Sequence, residues 1–309
     1  MSWPRPSSPP PSDTPPDSRS PDLSPRLQIA LAALLFSTGG AAIKAANFTG
    51  WQVASFRSGV AALALLIAVP AARRGFGWKT AAVGVIYAVT LVTFVLANRL
   101  TTSANAIYLQ STAPLYLLLL GPWLLKEQIS RRDIPVLLAV VAGLALVFLG
   151  EDAPSATAPH PVRGNLLAVL SGVSYAVMLI GLRRLGRDQA TEGHGISAVI
   201  LGNLIACVAV LPWALPLGPT PMVSWGVILY LGVFQIGVAY LLVTAGLRRV
   251  PALEASLLLL VETALNPVWS WWLLSEVPSV LALCGGGVII AATIWQTLRS
   301  VSTRPVEAT

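Results

Sequence analysis

Ten apolar runs follow one another between residues 27 and 298, separated by breaks too short to hold a domain. They fall at approximately 27–46, 51–70, 79–98, 102–121, 133–150, 164–183, 195–216, 222–244, 251–272 and 278–298. Each approaches or exceeds the roughly 18 residues that a helix needs to cross the hydrocarbon core of a bilayer. A chain with this many spans has few alternatives. Backbone groups inside a bilayer must bond within their own segment, so helices are expected throughout. The fold class predicted is an all-α integral membrane protein.

Charge supports this reading. Only 11% of the residues are charged, where a soluble domain carries about 25%. The net charge of +7 does not mark a nucleic-acid face, because the basic residues stand singly or in pairs between apolar runs. That is the distribution by which arginine and lysine orient helices, so membrane lipid is an expected partner and nucleic acid is not. With the N-terminus placed in the cytoplasm, 16 of the 20 Lys and Arg fall on the inner side. Lys44, Arg57, Arg99 and Arg163 are the other four. The expected setting is the plasma (inner) membrane, multi-pass, with both termini cytoplasmic and the loop 151–163 outside. Residues 1–25 are rich in Pro, Ser and Asp and are expected to be a disordered cytoplasmic tail. They lack the short apolar stretch of a signal peptide. Residues 299–309 form a second expected tail. Cys207 and Cys284 both sit in apolar runs and read as packing residues.

The chain repeats itself. Residues 123–130 read WLLKEQIS and residues 272–279 read WLLSEVPS, 149 positions apart. On the same offset Ala106 meets Ala255, Glu127 meets Glu276 and Ser130 meets Ser279. Span four thus matches span nine, and span five matches span ten. Five helices per half is an odd number, so the second half is inverted in the membrane, a frequent plan among secondary transporters. Charge follows the inversion. The first copy's turn carries Lys126, Arg131 and Arg132 on the cytoplasmic side; the second, on the outer side, has Ser275, Val280 and Leu281. The predicted domains are 27–150 and 164–298, two inverted five-helix repeats.

The stretches AIYLQSTAPLYLLLLGPWLLKEQIS (106–130) and ASLLLLVETALNPVWSWWLLSEVPS (255–279) resemble the paired signature of the drug/metabolite transporter superfamily, in particular its EamA-like ten-helix members. The arginine early in span two, within SFRSGVAALALL (55–66), is also similar to that pattern. The resemblance covers 27–298. It implies a transporter of amino acids, sugars, nucleotide-linked metabolites or drugs, without choosing among them. One departure is Thr263, where many members place a proline directly after the glutamate; here the proline is Pro267.

Glu262 lies about eleven residues into span nine and therefore near the bilayer midplane. Placing a carboxyl group there costs at least ~2.5 kcal/mol, and intramembrane ionisable residues usually face a cavity. Helical spacing puts Glu262, Asn266 and Trp269 on one face. The two readings are cargo contact or proton carriage, and a protonated acid bonded between helices. Its repeat equivalent is Ala113. Arg57 can snorkel to the interface or turn inward towards an anionic group on the cargo; the resemblance leans inward. Lys44 reads as an interfacial anchor. Tyr87, Tyr108 and Gln235 complete the set of candidate cargo-binding or coupling residues, although interhelical bonds explain such residues equally well. Pro114 and Pro267 are candidate kinks. Gly285, Gly286 and Gly287 read as close helix packing, and Glu127 and Glu276 as caps of the helices that follow.

The expected function is a secondary transporter of a small polar or amphipathic metabolite, with a site between the inverted repeats, working by alternating access and coupled to protons or exchange through Glu262. The alternatives are a membrane-embedded enzyme or a non-transporting structural protein. An enzyme would need a catalytic constellation: His160 and His194 fall in different loops, and neither an H-E-x-x-H nor a Gly-x-Ser-x-Gly motif occurs. No cofactor, metal or catalytic residue is expected, and both a monomer and a homodimer are compatible with the sequence.

Overall fold

The computed structural model describes residues 24–113, 115–116, 119–120, 134–150, 154–187, 194–247, 250 and 252–302. Pro114, the first octapeptide with Glu127, and both outermost tails lie outside the described residues. Among the described residues every regular element is helical.

Span one is Pro25–Ser37 followed, after a break at Thr38, by Gly39–Ala45. Its start carries Ser24, whose side chain accepts from Leu27 N at 3.3 Å, with Pro25 at the first helical position. Span two is Gly50–Ala68, opened by a reciprocal capping box in which Thr49 and Gln52 satisfy each other's backbone donors. Span three is Trp78–Leu100, and the described helical start of span four is Ser103–Gln110. Span five is Ile134–Leu149, span six Pro161–Arg187 and span seven His194–Ala214. Span eight runs as Met222–Tyr230, a π-helical stretch Leu231–Val238, and Ala239–Leu247. Span nine is Ala252–Leu274, with Pro267 inside it, and span ten is Val280–Ser302. The last helix thus runs four residues beyond the expected end of its apolar run.

By length and apolar character, Pro25–Ala45, Gly50–Ala68, Trp78–Leu100, Pro161–Leu182, His194–Ala214 and Met222–Gly246 can each cross a membrane. Ile134–Leu149 and Val280–Trp295 are shorter apolar helices. Large apolar side chains, among them Leu63, Ile67, Leu138, Val208, Trp271 and Trp272, remain exposed on the outside of the bundle. In water such a surface would be costly; against lipid tails it costs nothing. The chain is an all-α membrane protein.

The helices pack as two related halves. Span two lies on span seven, span five on span ten, and span four on span nine, each pair joining equivalent helices. Other large contacts also exchange. Span one packs on span nine, as span six does on span four; span three packs on spans six and seven, as span eight does on spans one and two. Swapping the halves therefore maps these main contacts onto one another, the relation that two inverted five-helix repeats would produce. Small residues allow the closest approaches. A β-carbon on Gly285 would fall 2.6 Å from the Gly143 carbonyl oxygen, so spans five and ten meet backbone to backbone.

Candidate functional site

Three helical irregularities face one another inside the bundle: the break at Thr38, the π-helical stretch of span eight and the proline-containing stretch of span nine. Each frees or displaces backbone groups, and π-helical insertions recur at functional sites. Polar side chains tie them together. Thr38 Oγ1 and Tyr230 OH are 2.7 Å apart, and Trp269 Nε1 donates to Ser37 Oγ at 2.9 Å. The two glycines after the break receive two amides. A β-carbon on Gly39 would meet Gln235 Nε2 at 2.7 Å, and one on Gly40 would meet Asn266 Oδ1 at 2.5 Å. Only glycine lets these amides reach the span-one backbone.

The amides are not satisfied there. Asn266 is fully buried, yet neither its Oδ1 nor its Nδ2 has a partner, and Gln235 Oε1 also lacks one. An unmade hydrogen bond at a buried polar atom costs about 1–3 kcal/mol. Such a cost persists where a ligand or water completes the set.

Glu262 sits deep in the bundle and still keeps part of its surface accessible. The same combination holds for Tyr175 on span six and Tyr240 on span eight, both close enough to feel its charge. Three partly accessible side chains, from spans six, eight and nine, thus lie near one another. Among the described residues no cation lies within ion-pair distance of Glu262. Tyr240 continues the polar line to Tyr87, their ring centroids 5.4 Å apart, and Asn203 Nδ2 donates to Tyr87 OH at 3.3 Å. Arg57 stands beyond, beside Tyr87 and Tyr240. It is 1% exposed, so it neither reaches the interface nor snorkels. Its one described hydrogen bond, from Nη2 to the Leu91 carbonyl, is 3.5 Å long, and its Nε has no partner. A buried guanidinium held this loosely is an electrostatic demand for an anion.

The structure thus brings Gln235, Asn266 and Trp269 together around the span-one break, and Glu262, Tyr87 and Arg57 around Tyr240. It places Tyr108 elsewhere: that ring packs under span ten, where a β-carbon on Gly286 would fall 2.5 Å from it. Thr263, the departure from the expected proline, bonds across the repeated helices, with its Oγ1 2.8 Å from Ser111 Oγ. Tyr175, Asn203 and Tyr240 are not among the site residues expected from the sequence. A signal for Tyr175 existed in the polar strip Ser171, Ser174, Tyr175, at helical spacing within an otherwise apolar run.

Two readings at the far end of the bundle also change. Lys44 is not an interfacial anchor, since it is buried in an ion pair with Glu276, Nζ to Oε1 2.6 Å, and their side chains are only 4% and 3% exposed. Glu276 does not cap the helix that follows it. Ser279 does that, accepting from Ala282 N at 3.1 Å, while Glu276 Oε1 accepts the Ser103 N–H at the start of span four, 3.2 Å away. The turn geometry explains the exchange. Ser275 adopts φ 54°, a left-handed conformation that swings Glu276 back into the bundle.

Related helical halves with exposed apolar flanks and several buried polar side chains follow a plan found among helical membrane transporters. The sequence matches the EamA-like transporter family over residues 24–149 and 162–298, and the chain belongs to that family. Among similar proteins, the pseudopaline exporter CntI of Pseudomonas aeruginosa is 27% identical over 278 residues, covering 87% of this chain and 94% of its own. The threonine/homoserine exporter RhtA of Escherichia coli is 28% identical over 211 residues, 66% of each chain. The Escherichia coli biotin transporter is 26% identical over 258 residues, 78% of this chain and 82% of its own. A solved crystal structure superposes with a TM-score of 0.61 at 18% identity, over 91% of this chain and 99% of that one, which bears on the fold alone.

Proposed function

We propose that this protein is a secondary transporter of the plasma membrane, both termini cytoplasmic, that carries a small zwitterionic, amino-acid-like metabolite by alternating access between its two inverted repeats. The observation that carries the reading is Glu262: a partly accessible carboxyl group within an apolar span, near Tyr175 and Tyr240, with no cation within ion-pair distance among the described residues. An ammonium group on the cargo completes it, and the faces of the two tyrosine rings add attraction for that cation. A cargo carboxylate answers Arg57, reached when Tyr240 and Tyr87 give way. Asn266 and Gln235 supply the unspent hydrogen-bonding capacity along the cargo's polar edge. The relatives' named cargoes, among them threonine and homoserine, are small polar metabolites, and two of the relatives are named as exporters.

The same carboxylate couples the cycle. Glu262 can hold a proton or the cargo ammonium, but not both, so one displaces the other and each returns to the opposite face as the halves rock. The test is flux in proteoliposomes with labelled amino acids, matched amines and matched carboxylates, with and without an imposed proton gradient. Uptake of the zwitterions, gradient-driven and lost in Glu262→Gln, is the expected result. Equal movement of the amine-only and carboxylate-only analogues would overturn the zwitterion assignment. Equal gradient response in wild type and Glu262→Gln would overturn the coupling.

A further inference from the structure

The buried ion pair between Lys44 and Glu276 shares no residue with the cargo site and is assembled from both halves of the molecule. Lys44, near the end of span one, gives its ammonium three partners: Glu276 Oε1 at 2.6 Å, the Thr101 carbonyl at 2.8 Å and the Thr157 carbonyl at 2.6 Å. Thr101 ends span three, and Thr157 belongs to the segment between spans five and six. Glu276 lies in the turn between spans nine and ten and also receives Ser103 N of span four. Arg99 braces the same corner by donating to the carbonyls of Lys44 and Ala46, at 3.3 and 2.8 Å. One ammonium and one carboxylate therefore join spans one, three and four to the turn of the other repeat, and close that end of the bundle.

We infer that the Lys44–Glu276 pair is a latch that seals this end, the outer one by the distribution of basic residues, and that it parts in each transport cycle; the inference rests on the transporter reading above. A pair that bridges the halves cannot persist when the halves separate at that end. The chemistry suits a contact made to be broken. Taking both charges out of water nearly cancels their attraction, so the closed state is specific without being deeply stabilised. When the end opens, water receives both groups. Two features lower the cost of leaving the closed geometry further: Glu276 Oε2 is buried without a partner, and Ser275 holds its left-handed backbone with a side chain that disfavours it. An apolar plug at the same place would oppose opening with its whole buried area.

The latch is tested without cargo. In the full chain carrying Cys207→Ser and Cys284→Ser, which removes both cysteines, Ser103→Cys places a thiol at a position with no accessible surface in the latched end. The protein is placed in nanodiscs and treated with a charged maleimide. Labelling is expected to be slow in this parent and at least about a hundredfold faster when Glu276→Gln or Lys44→Met is added, since either leaves a charge buried alone in the closed form. The reversal Lys44→Glu with Glu276→Lys is expected to return labelling towards the parent rate. The apolar pair Lys44→Met with Glu276→Met is expected to keep labelling slow while stopping flux in proteoliposomes, so the test stands if the reversal does not fold. Labelling of Glu276→Gln at the parent rate overturns the latch, as does undiminished flux in the apolar pair. Absence of any metabolite flux in the parent, with labelling still governed by the pair, would instead overturn the transporter reading.

Discussion

Glu262 and Glu276 lie on one helix and the turn that follows it, fourteen residues apart in sequence, and they meet opposite electrostatic treatment. Glu276 has a lysine at 2.6 Å and a backbone N–H at 3.2 Å, and almost no accessible surface. Glu262 has accessible surface, two tyrosines and no cation within reach among the described residues. A buried charge must be compensated by something. At Glu276 the protein supplies the compensation, so the residue can do structural work at one end of the bundle. At Glu262 the described residues supply no cation, which is the ground for proposing a proton or a cargo cation there. The comparison separates a residue compensated within the fold from one proposed to act in transport.

The sharpest way to break this comparison is to remove one member of the satisfied pair. Glu276→Ala or Lys44→Met leaves a buried charge alone and should destabilise the closed form by about 3–5 kcal/mol, read as a lower thermal midpoint in detergent. Lys44→Met combined with Glu276→Met should recover most of that loss; if the double variant is as unstable as the singles, the pair does not act as a unit. Glu262→Gln should behave in the opposite way. Its stability should hold or rise, while cargo affinity falls by the ~1.5–3 kcal/mol of a charge-assisted bond, about ten- to hundredfold. Its flux should also lose the variation that wild type shows between about pH 5 and pH 8. A stability loss in Glu262→Gln as large as that in Glu276→Ala would erase the distinction.

Smaller effects probe the ground between the two sites. Gly40→Ala drives a methyl group into Asn266 and should cost about 1–3 kcal/mol, seen as reduced thermal stability. Trp269→Phe loses the bond to Ser37 and should cost about 1 kcal/mol, with a matching fall in cargo affinity only if the indole also touches cargo. Ser275→Gly relieves the positive φ and should stabilise the latched end by about 1 kcal/mol, measured as slower opening in the labelling assay. Unchanged labelling would remove backbone strain from the account of how the latch releases.

Much of the fold was legible because bilayer length and apolarity act on each helix independently. The ten runs and the close packing expected of Gly285 both express local rules. Glu262 was legible for the same reason: an acid in mid-span carries its cost wherever its neighbours are. Tyr175 and Asn203 were not, because a single polar residue in an apolar run reads the same whether it meets cargo or another helix. Arg57 could not be assigned to the interface or the interior until the helices around it were in place.

Lys44 and Glu276 show where that boundary falls most clearly. The sequence by itself determined that the chain spans a membrane in two related halves, that the repeated octapeptide loses its lysine in the second copy, and that an acid stands within the ninth apolar run. Those conclusions follow from composition, period and the cost of charge in hydrocarbon, each read along one segment. Only the tertiary structure decided that the acid of the second octapeptide turns inward, through the left-handed Ser275, to meet a lysine 232 residues away in sequence. Charge compensation is a property of distance in space, and a sequence records distance only along the chain.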